Sequence, residues 1–348
     1  MTSWGRVVEA HDLRRSYRTR AGTFRRERKE VEAVRGVSFG IEQGELFGLL
    51  GPNGAGKTTT IKMLITLLLP TAGRATVLGH DVVDDAREVR RHIGYVFGGD
   101  RGLYERLSAL DNLRYFAELY GVPPREQKAR IGALLEMVGL TGREKERVEG
   151  FSRGMRQRLH IARGLLHDPE VLFLDEPTIG IDPVGARELR GTIASLKEQG
   201  KTILLTTHYM FEADELCDRI AVIRGGELVA EGTPADLKQR VAAGHVVEVE
   251  TFGVPASAVD AVRDLPGVRT AAVEDRGQAQ VLLVQVEPGA EVTSSVLGRL
   301  DGVNVGRVSS REPTLEDAYV ELVSGPPAAP ADAAPSGDSE DSTAGVPA

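Results

Sequence analysis

The residues with the plainest chemistry run in one stretch, Gly51-Pro52-Asn53-Gly54-Ala55-Gly56-Lys57-Thr58-Thr59. Glycines at this density let successive backbone N–H groups turn toward a single anion. A helix is expected from Thr58 to about Leu68, and its positive end would face the same anion. Lys57 would then bring a cation to β- and γ-phosphates, and the Thr58 hydroxyl would ligate Mg²⁺. The pattern is a phosphate-cradling P-loop. A chance glycine-rich turn is the alternative, and the companions downstream weigh against it.

Two further segments have matching chemistry. Val171-Leu172-Phe173-Leu174 reads as a strand buried on both faces, and Asp175-Glu176 follows at its end. In an α/β sheet, ligands collect at the carboxyl ends of strands. Asp175 is expected to hold Mg²⁺ and Glu176 to polarise the attacking water. By itself such a pair would also suit a solvated strand end. Between the two motifs lies Phe151-Ser152-Arg153-Gly154-Met155. A helix should follow it, since Met155, Leu159, Ala162 and Leu166 recur at helical spacing. Ser152 and Gly154 at its start can meet an anion. An ordinary serine N-cap accounts for Ser152 equally well.

The elements that must place these groups follow from the apolar pattern. Leu46, Phe47, Gly48, Leu49 and Leu50 form a buried strand leading into the glycine loop. Residues 6–240 alternate strand-like runs with amphipathic helices, which predicts an α/β domain. Residues 245–324 read as strand Val246–Thr251, helix Ser257–Leu265, strands Val268–Glu274 and Val281–Val286, helix Val292–Leu300 and strand Val303–Val308. The order βαββαβ is the split βαβ, ferredoxin-like arrangement. A last helix begins at Thr314, with Asp317 placed to complete a capping box. Residues 325–348 are rich in Pro, Ala, Ser, Asp and Gly and are expected to be a disordered tail.

Composition sets the outer limits. The 348 residues suggest about two domains, and 41% hydrophobic with 27% charged residues is ordinary for a soluble globular chain. A net charge of −8 argues against a broad nucleic-acid surface. The single cysteine, Cys217, excludes an internal disulfide and fits a reducing compartment. No apolar run approaches the roughly 20 residues that span a bilayer, so a membrane role is expected to come through a partner. Arg14, Arg15, Arg18, Arg20, Arg25, Arg26, Arg28 and Lys29 crowd one stretch near the N-terminus. They read as a solvated hairpin extension or as a contact for anionic headgroups or an acidic partner.

The order of the motifs, P-loop, Ser-x-Gly helix start, then strand-Asp-Glu-Pro, resembles the ATP-binding-cassette (ABC) ATPases over roughly residues 6–235. The resemblance implies a P-loop NTPase fold with a helical subdomain. It makes Phe151–Met155 similar to the signature loop, which in the family caps the γ-phosphate bound to the opposite subunit. Ile181-Asp182-Pro183 resembles the D-loop and puts Asp182 at a dimer interface, although a plain Asp-Pro turn fits too. Thr206-Thr207-His208 resembles the switch-histidine motif, with His208 reaching the γ-phosphate. Tyr17 fits the adenine-stacking aromatic, or else an exposed packing tyrosine. Ile93–Asp100 resembles the Q-loop but lacks its Gln. Asp100, or water beside Gly98 and Gly99, is expected to take the place of that oxygen.

The implied function is an ATP- and Mg²⁺-dependent ATPase working as a homodimer at the cytoplasmic face of the membrane. The ending Glu312-Pro313-Thr314-Leu315-Glu316-Asp317-Ala318-Tyr319 resembles the C-terminal part of daunorubicin-resistance-type exporter ATPases. That implies a separate integral-membrane permease moving a drug, lipid or other amphiphile, with no nucleic acid expected. An ATPase acting on nucleic acid or ribosomes is the alternative, and a nucleotide-gated interaction module with feeble turnover is a third.

Overall fold

The computed structural model describes residues 5–21, 27–98, 102–241, 244–276, 279–287 and 289–324. The expectations placed on Arg25, Arg26, Gly99, Asp100 and the tail 325–348 lie outside them, as do the side chains of Arg18, Arg20, Arg28 and Lys29.

The chain opens with two long strands, β1 (Arg6–Ala21) and β2 (Glu27–Glu42), then β3 (Leu46–Leu50) and helix α1 (Lys57–Leu64). Next come β4 (Ala72–Val77), β5 (His80–Asp81), α2 (Ala86–His92) and β6 (Ile93–Phe97). Three helices follow, α3 (Ala109–Leu119), α4 (Pro124–Met137) and α5 (Arg153–Gly164). The chain then returns to the sheet through β7 (Val171–Asp175), α6 (Pro183–Glu198), β8 (Thr202–Thr207), α7 (Met210–Leu216), β9 (Arg219–Arg224), β10 (Glu227–Gly232) and α8 (Pro234–Val241). The remainder is β11 (Val246–Phe252), α9 (Ala256–Arg263), β12 (Val268–Arg276), β13 (Ala279–Val286), α10 (Thr293–Arg299), β14 (Asn304–Arg311) and α11 (Leu315–Ser324).

A six-stranded sheet, ordered β10-β9-β3-β8-β7-β6, forms the centre. Its strands from β9 to β6 run parallel and β10 closes one edge antiparallel. Successive side chains enter different cores, as the two-residue strand period requires. Leu46, Leu172, Leu174, Ile203 and Leu205 join the helical side, with Leu113, Ile131, Leu135 and Leu159 from α3, α4 and α5. Phe47, Leu49, Val171, Phe173 and Leu204 join the other side, with Ile61 and Met63 of α1 and Val8, Leu13 and Ile41 of an antiparallel sheet β2-β1-β4-β5. Burial on both faces explains the near-continuous apolar strand sequences.

The third sheet, ordered β12-β13-β11-β14, is antiparallel throughout. Strand β13 lies between β11 and β12, which α9 connects: this is the split βαβ arrangement. Its core joins Val247, Val249, Leu282 and Val284 to Val259 and Val262 of α9 and Val296 and Leu300 of α10.

Two local boundaries differ from the sequence reading. Helix α1 stops at Leu64 rather than near Leu68, because Thr66 takes a left-handed φ of 65° that ends the helical ladder. Helix α11, grouped by sequence with the small domain, packs instead on α7, α8, β9 and β10. Leu315 is 2% exposed and shares a core with Leu216 and Leu237, and Arg224 donates to the Val323 carbonyl at 2.8 Å. The capping box forms: Thr314 N–H donates to Asp317 Oδ2 at 2.7 Å, and Asp317 N–H to Thr314 Oγ1 at 3.4 Å. Arg311 bridges Asp317 at 2.6 Å and Glu248 at 2.8 Å, tying the last strand to this helix.

Candidate active site

The glycine loop leaves β3 at Leu50 and enters α1 at Lys57. Gly56 sits at φ 112°, and a Cβ there would meet the Ala33 carbonyl oxygen at 2.6 Å, so glycine is required for the loop to close against β2. Ala33, residues 52–59 and Glu176 line a cavity of about 150 Å³ at the mouth of this loop. Gly51, Ala55, Gly56 and Lys57 are buried, whereas Asn53 and Gly54 are exposed. The Lys57 ammonium, 4% exposed, donates to the Gly51 carbonyl at 2.7 Å and lies 3.2 Å from Glu176 Oε1. Burial makes that pairing obligatory for the charge while nothing else neutralises it.

Adjacent parallel strands bring the acidic pair to the same place. Asp175 ends β7 beside Thr206 of β8, and β8 pairs in turn with β3. Thr58 Oγ1 donates to Asp175 Oδ1 at 3.2 Å, and Thr206 Oγ1 donates to the same oxygen at 2.5 Å. Glu176 stands at a left-handed φ of 49°, an uncommon state for a residue with a side chain. Its N–H donates to Thr206 Oγ1 at 3.1 Å and to the Thr206 carbonyl at 3.0 Å, which holds the bend. His208 Nδ1 lies 3.3 Å from Glu176 Oε2, off the line of a full hydrogen bond. Thus Lys57, Thr58, Asp175, Glu176 and His208 meet at the carboxyl ends of β3, β7 and β8.

Ser152, Gly154, Asp182 and Tyr17 do not line this cavity. Ser152 caps α5 by accepting from Met155 N–H at 3.3 Å. Gly154 sits against the D-loop segment, where an added Cβ would meet Ile181 Cγ2 at 3.3 Å. Asp182 caps α6 by accepting from Val184 and Gly185 N–H at 3.1 and 3.0 Å. Tyr17 is half-buried in β1, pairs with Val31, and has the Arg15 guanidinium 4.9 Å from its ring centre.

Two residues near the site escaped the sequence reading. Thr206 was read only as part of a histidine motif, yet its hydroxyl grips both acidic positions. Glu212 of α7 is 2% exposed, and burial pushes its carboxyl up from the ordinary range, against the pull of the Thr207 and Thr178 hydroxyls, Arg190 and His208. Neither Glu212 oxygen has a hydrogen bond of full geometry. Its place in α7, after the end of β8 at Thr207, gave no signal, because only the fold turns that side chain inward.

Fold and site together define a P-loop NTPase of the ABC type. The chain belongs to the ABC transporter family as an ATP-binding, ATP-hydrolysing subunit. Residues 34–179 match the family described as ABC transporter, and residues 232–323 match the C-terminal domain of DrrA1-3-like ATP-binding proteins. The linearmycin resistance ATP-binding protein LnrL of Bacillus subtilis is 37% identical over 295 residues, covering 83% of this chain and 93% of that protein. The daunorubicin resistance ATP-binding protein DrrA3 of Streptomyces coeruleorubidus is 40% identical over 295 residues, covering 84% and 92%. Among solved structures, cbiO1 of Clostridium perfringens, part of an ABC transporter complex, aligns with a TM-score of 0.59 at 27% identity, covering 67% of this chain and 90% of that one. The cassette MJ0796, solved as a dimer after hydrolysis with ADP and Pi, aligns at 0.57 and 27%, covering 65% and 98%.

Proposed function

We propose that this subunit drives export of a drug, lipid or other amphiphile through a separate integral-membrane permease, working as a homodimer at the cytoplasmic face of the membrane. The relatives named for resistance to linearmycin and daunorubicin support the cargo class, and the dimeric cassette structure supports the assembly. Among the described residues no helix is long and apolar enough to cross a membrane. Transporter subunits among the relatives favour this reading over an ATPase on nucleic acid or ribosomes.

The observation that carries the mechanism is the cluster of Lys57, Thr58, Asp175, Glu176 and His208 at the strand ends: Lys57, Thr58 and Glu176 line the cavity, Asp175 bonds to Thr58 and His208 stands beside Glu176. Lys57 leaves Glu176 for the β- and γ-phosphates of ATP, which frees the Glu176 carboxylate to orient the attacking water. His208, beside Glu176, reaches the γ-phosphate. Thr58 and Asp175 offer two hard oxygens 3.2 Å apart, a donor set that fits Mg²⁺ held mainly by phosphate and water. When bound, the ion would neutralise charge building on the phosphate oxygens. Tyr17 stacks on the adenine. Ser152 and Gly154 of one protomer cap the γ-phosphate in its partner, and Asp182 lies at that interface.

The test is Glu176→Gln. The variant is expected to stay a nucleotide-bound dimer in size-exclusion chromatography with ATP and Mg²⁺, while Lys57→Ala in the same background is monomeric. A Glu176→Gln protein that remains monomeric under these conditions refutes the proposal.

A further inference from the structure

Gly98 stands where β6 has just ended, opposite Glu176 at the end of β7. Its N–H donates to the Asp175 carbonyl at 2.6 Å, extending the parallel ladder by one residue. The approach is close enough to exclude any side chain. A Cβ on Gly98 would meet the Glu176 carbonyl oxygen at 2.5 Å, the Asp175 carbonyl oxygen at 3.0 Å and Ile179 Cγ2 at 2.9 Å. Two of these neighbours are backbone, which cannot swing aside as a side chain can. The Glu176 carbonyl also accepts from Ile179 N–H at 3.2 Å, in the turn that leads to Asp182. From the other side, Gln157 of α5, 3% exposed, directs Nε2 to the Phe97 carbonyl at 3.4 Å. The end of β6 is therefore held between the helix that begins at Ser152 and the strained backbone of Glu176.

We propose that Gly98 is a positioning residue for hydrolysis, whose bare backbone packs on Asp175–Glu176 to hold the Glu176 bend, with Gln157 keeping β6 in place. This rests on Glu176 acting on the attacking water. A side chain at position 98 must push β6 and β7 apart or rotate the Glu176 peptide. Either displaces the carboxylate, and the nearest atoms that the added Cβ meets belong to Asp175, Glu176 and Ile179 rather than to the phosphate loop.

The experiment uses the full chain, measuring phosphate release at saturating Mg-ATP and ATP affinity by titration calorimetry. Gly98→Ala is expected to lower kcat by about 100-fold, the loss typical of an ångström-scale misplacement, with Kd for ATP changed less than about threefold. Glu176→Gln is the reference. If it keeps full turnover, the assignment of Glu176 is wrong and this inference falls with it. If Glu176→Gln is inactive while Gly98→Ala keeps kcat within about threefold, only the positioning role is overturned. Should Gly98→Ala lack a cooperative thermal transition, Gln157→Met decides. It keeps side-chain length but removes the donor, and should lower kcat by about 10-fold at unchanged Kd; an unchanged kcat overturns the proposal.

Discussion

Thr206→Val isolates what one buried hydroxyl does for the acidic pair. Thr206 is fully buried, and its hydroxyl donates to Asp175 Oδ1 at 2.5 Å while accepting from Glu176 N–H at 3.1 Å. Valine matches its shape and removes both bonds. The bond to the carboxylate is charge-assisted and contributes about 1.5–3 kcal/mol. The Glu176 N–H keeps the Thr206 carbonyl at 3.0 Å, so its loss is about 0.5 kcal/mol. The extra buried methyl returns about 0.8 kcal/mol. The net is a destabilisation of about 2 kcal/mol, or a fall in Tm of about 4–8 °C for a domain of this size. Denaturant unfolding of wild type, Thr206→Val and Thr206→Ser reads it directly. Serine keeps both bonds and should lie closer to wild type. The same valine change in an Asp175→Asn background should cost less, since the acceptor is no longer charged. A Thr206→Val protein within about 0.5 kcal/mol of wild type, or a serine variant less stable than the valine one, would show the hydroxyl to be a bystander.

The remaining predictions address other parts of the fold. His160, 1% exposed with Nε2 unpartnered, is held neutral by burial and by the Arg163 charge, its pKa lowered from 6.5 to about 3. Below its unfolded pKa the unfolded chain binds the proton and the native one does not, so stability falls as pH falls from 6.5 toward 3. Between about pH 7 and 5 wild type should lose about 2 kcal/mol that His160→Leu does not, by denaturant titration at each pH. Leu315→Ala should destabilise the cassette by about 2–5 kcal/mol, because Leu315 lies in the core of its helical side. Val320→Ala on the same helix, half exposed, should change it by less than about 0.5 kcal/mol. Equal effects of the two would mean that α11 is not part of that core.

Much of the fold was legible because local sequence and tertiary demand agree. The all-apolar runs Leu46–Leu50 and Val171–Leu174 could only suit strands covered on both faces, and the alternation in β11 and β13 marked a sheet covered on one. The loop around Gly56 and the capping box at Thr314 are short-range features, encoded within a few residues. The members of the candidate site were likewise nameable, since P-loop, Asp-Glu and histidine each follow a recognisable strand. What the residue order could not express was their meeting. Lys57, Glu176 and His208 lie far apart in the chain, and the parallel register of β3, β8 and β7 alone brings them within ion-pair distance. Contacts made by backbone are still less visible: Gly98 reads as an absent glutamine until Glu176's carbonyl is seen against it. Helix α11 shows the same limit, since its amphipathic pattern fits any apolar surface. Composition and periodicity determined which segments become strands, helices and phosphate-binding turns, because those choices depend on neighbours in sequence. Which strand ends share a site, and which core the last helix completes, was decided only by three-dimensional packing, where residues distant in the chain compete for the same buried space.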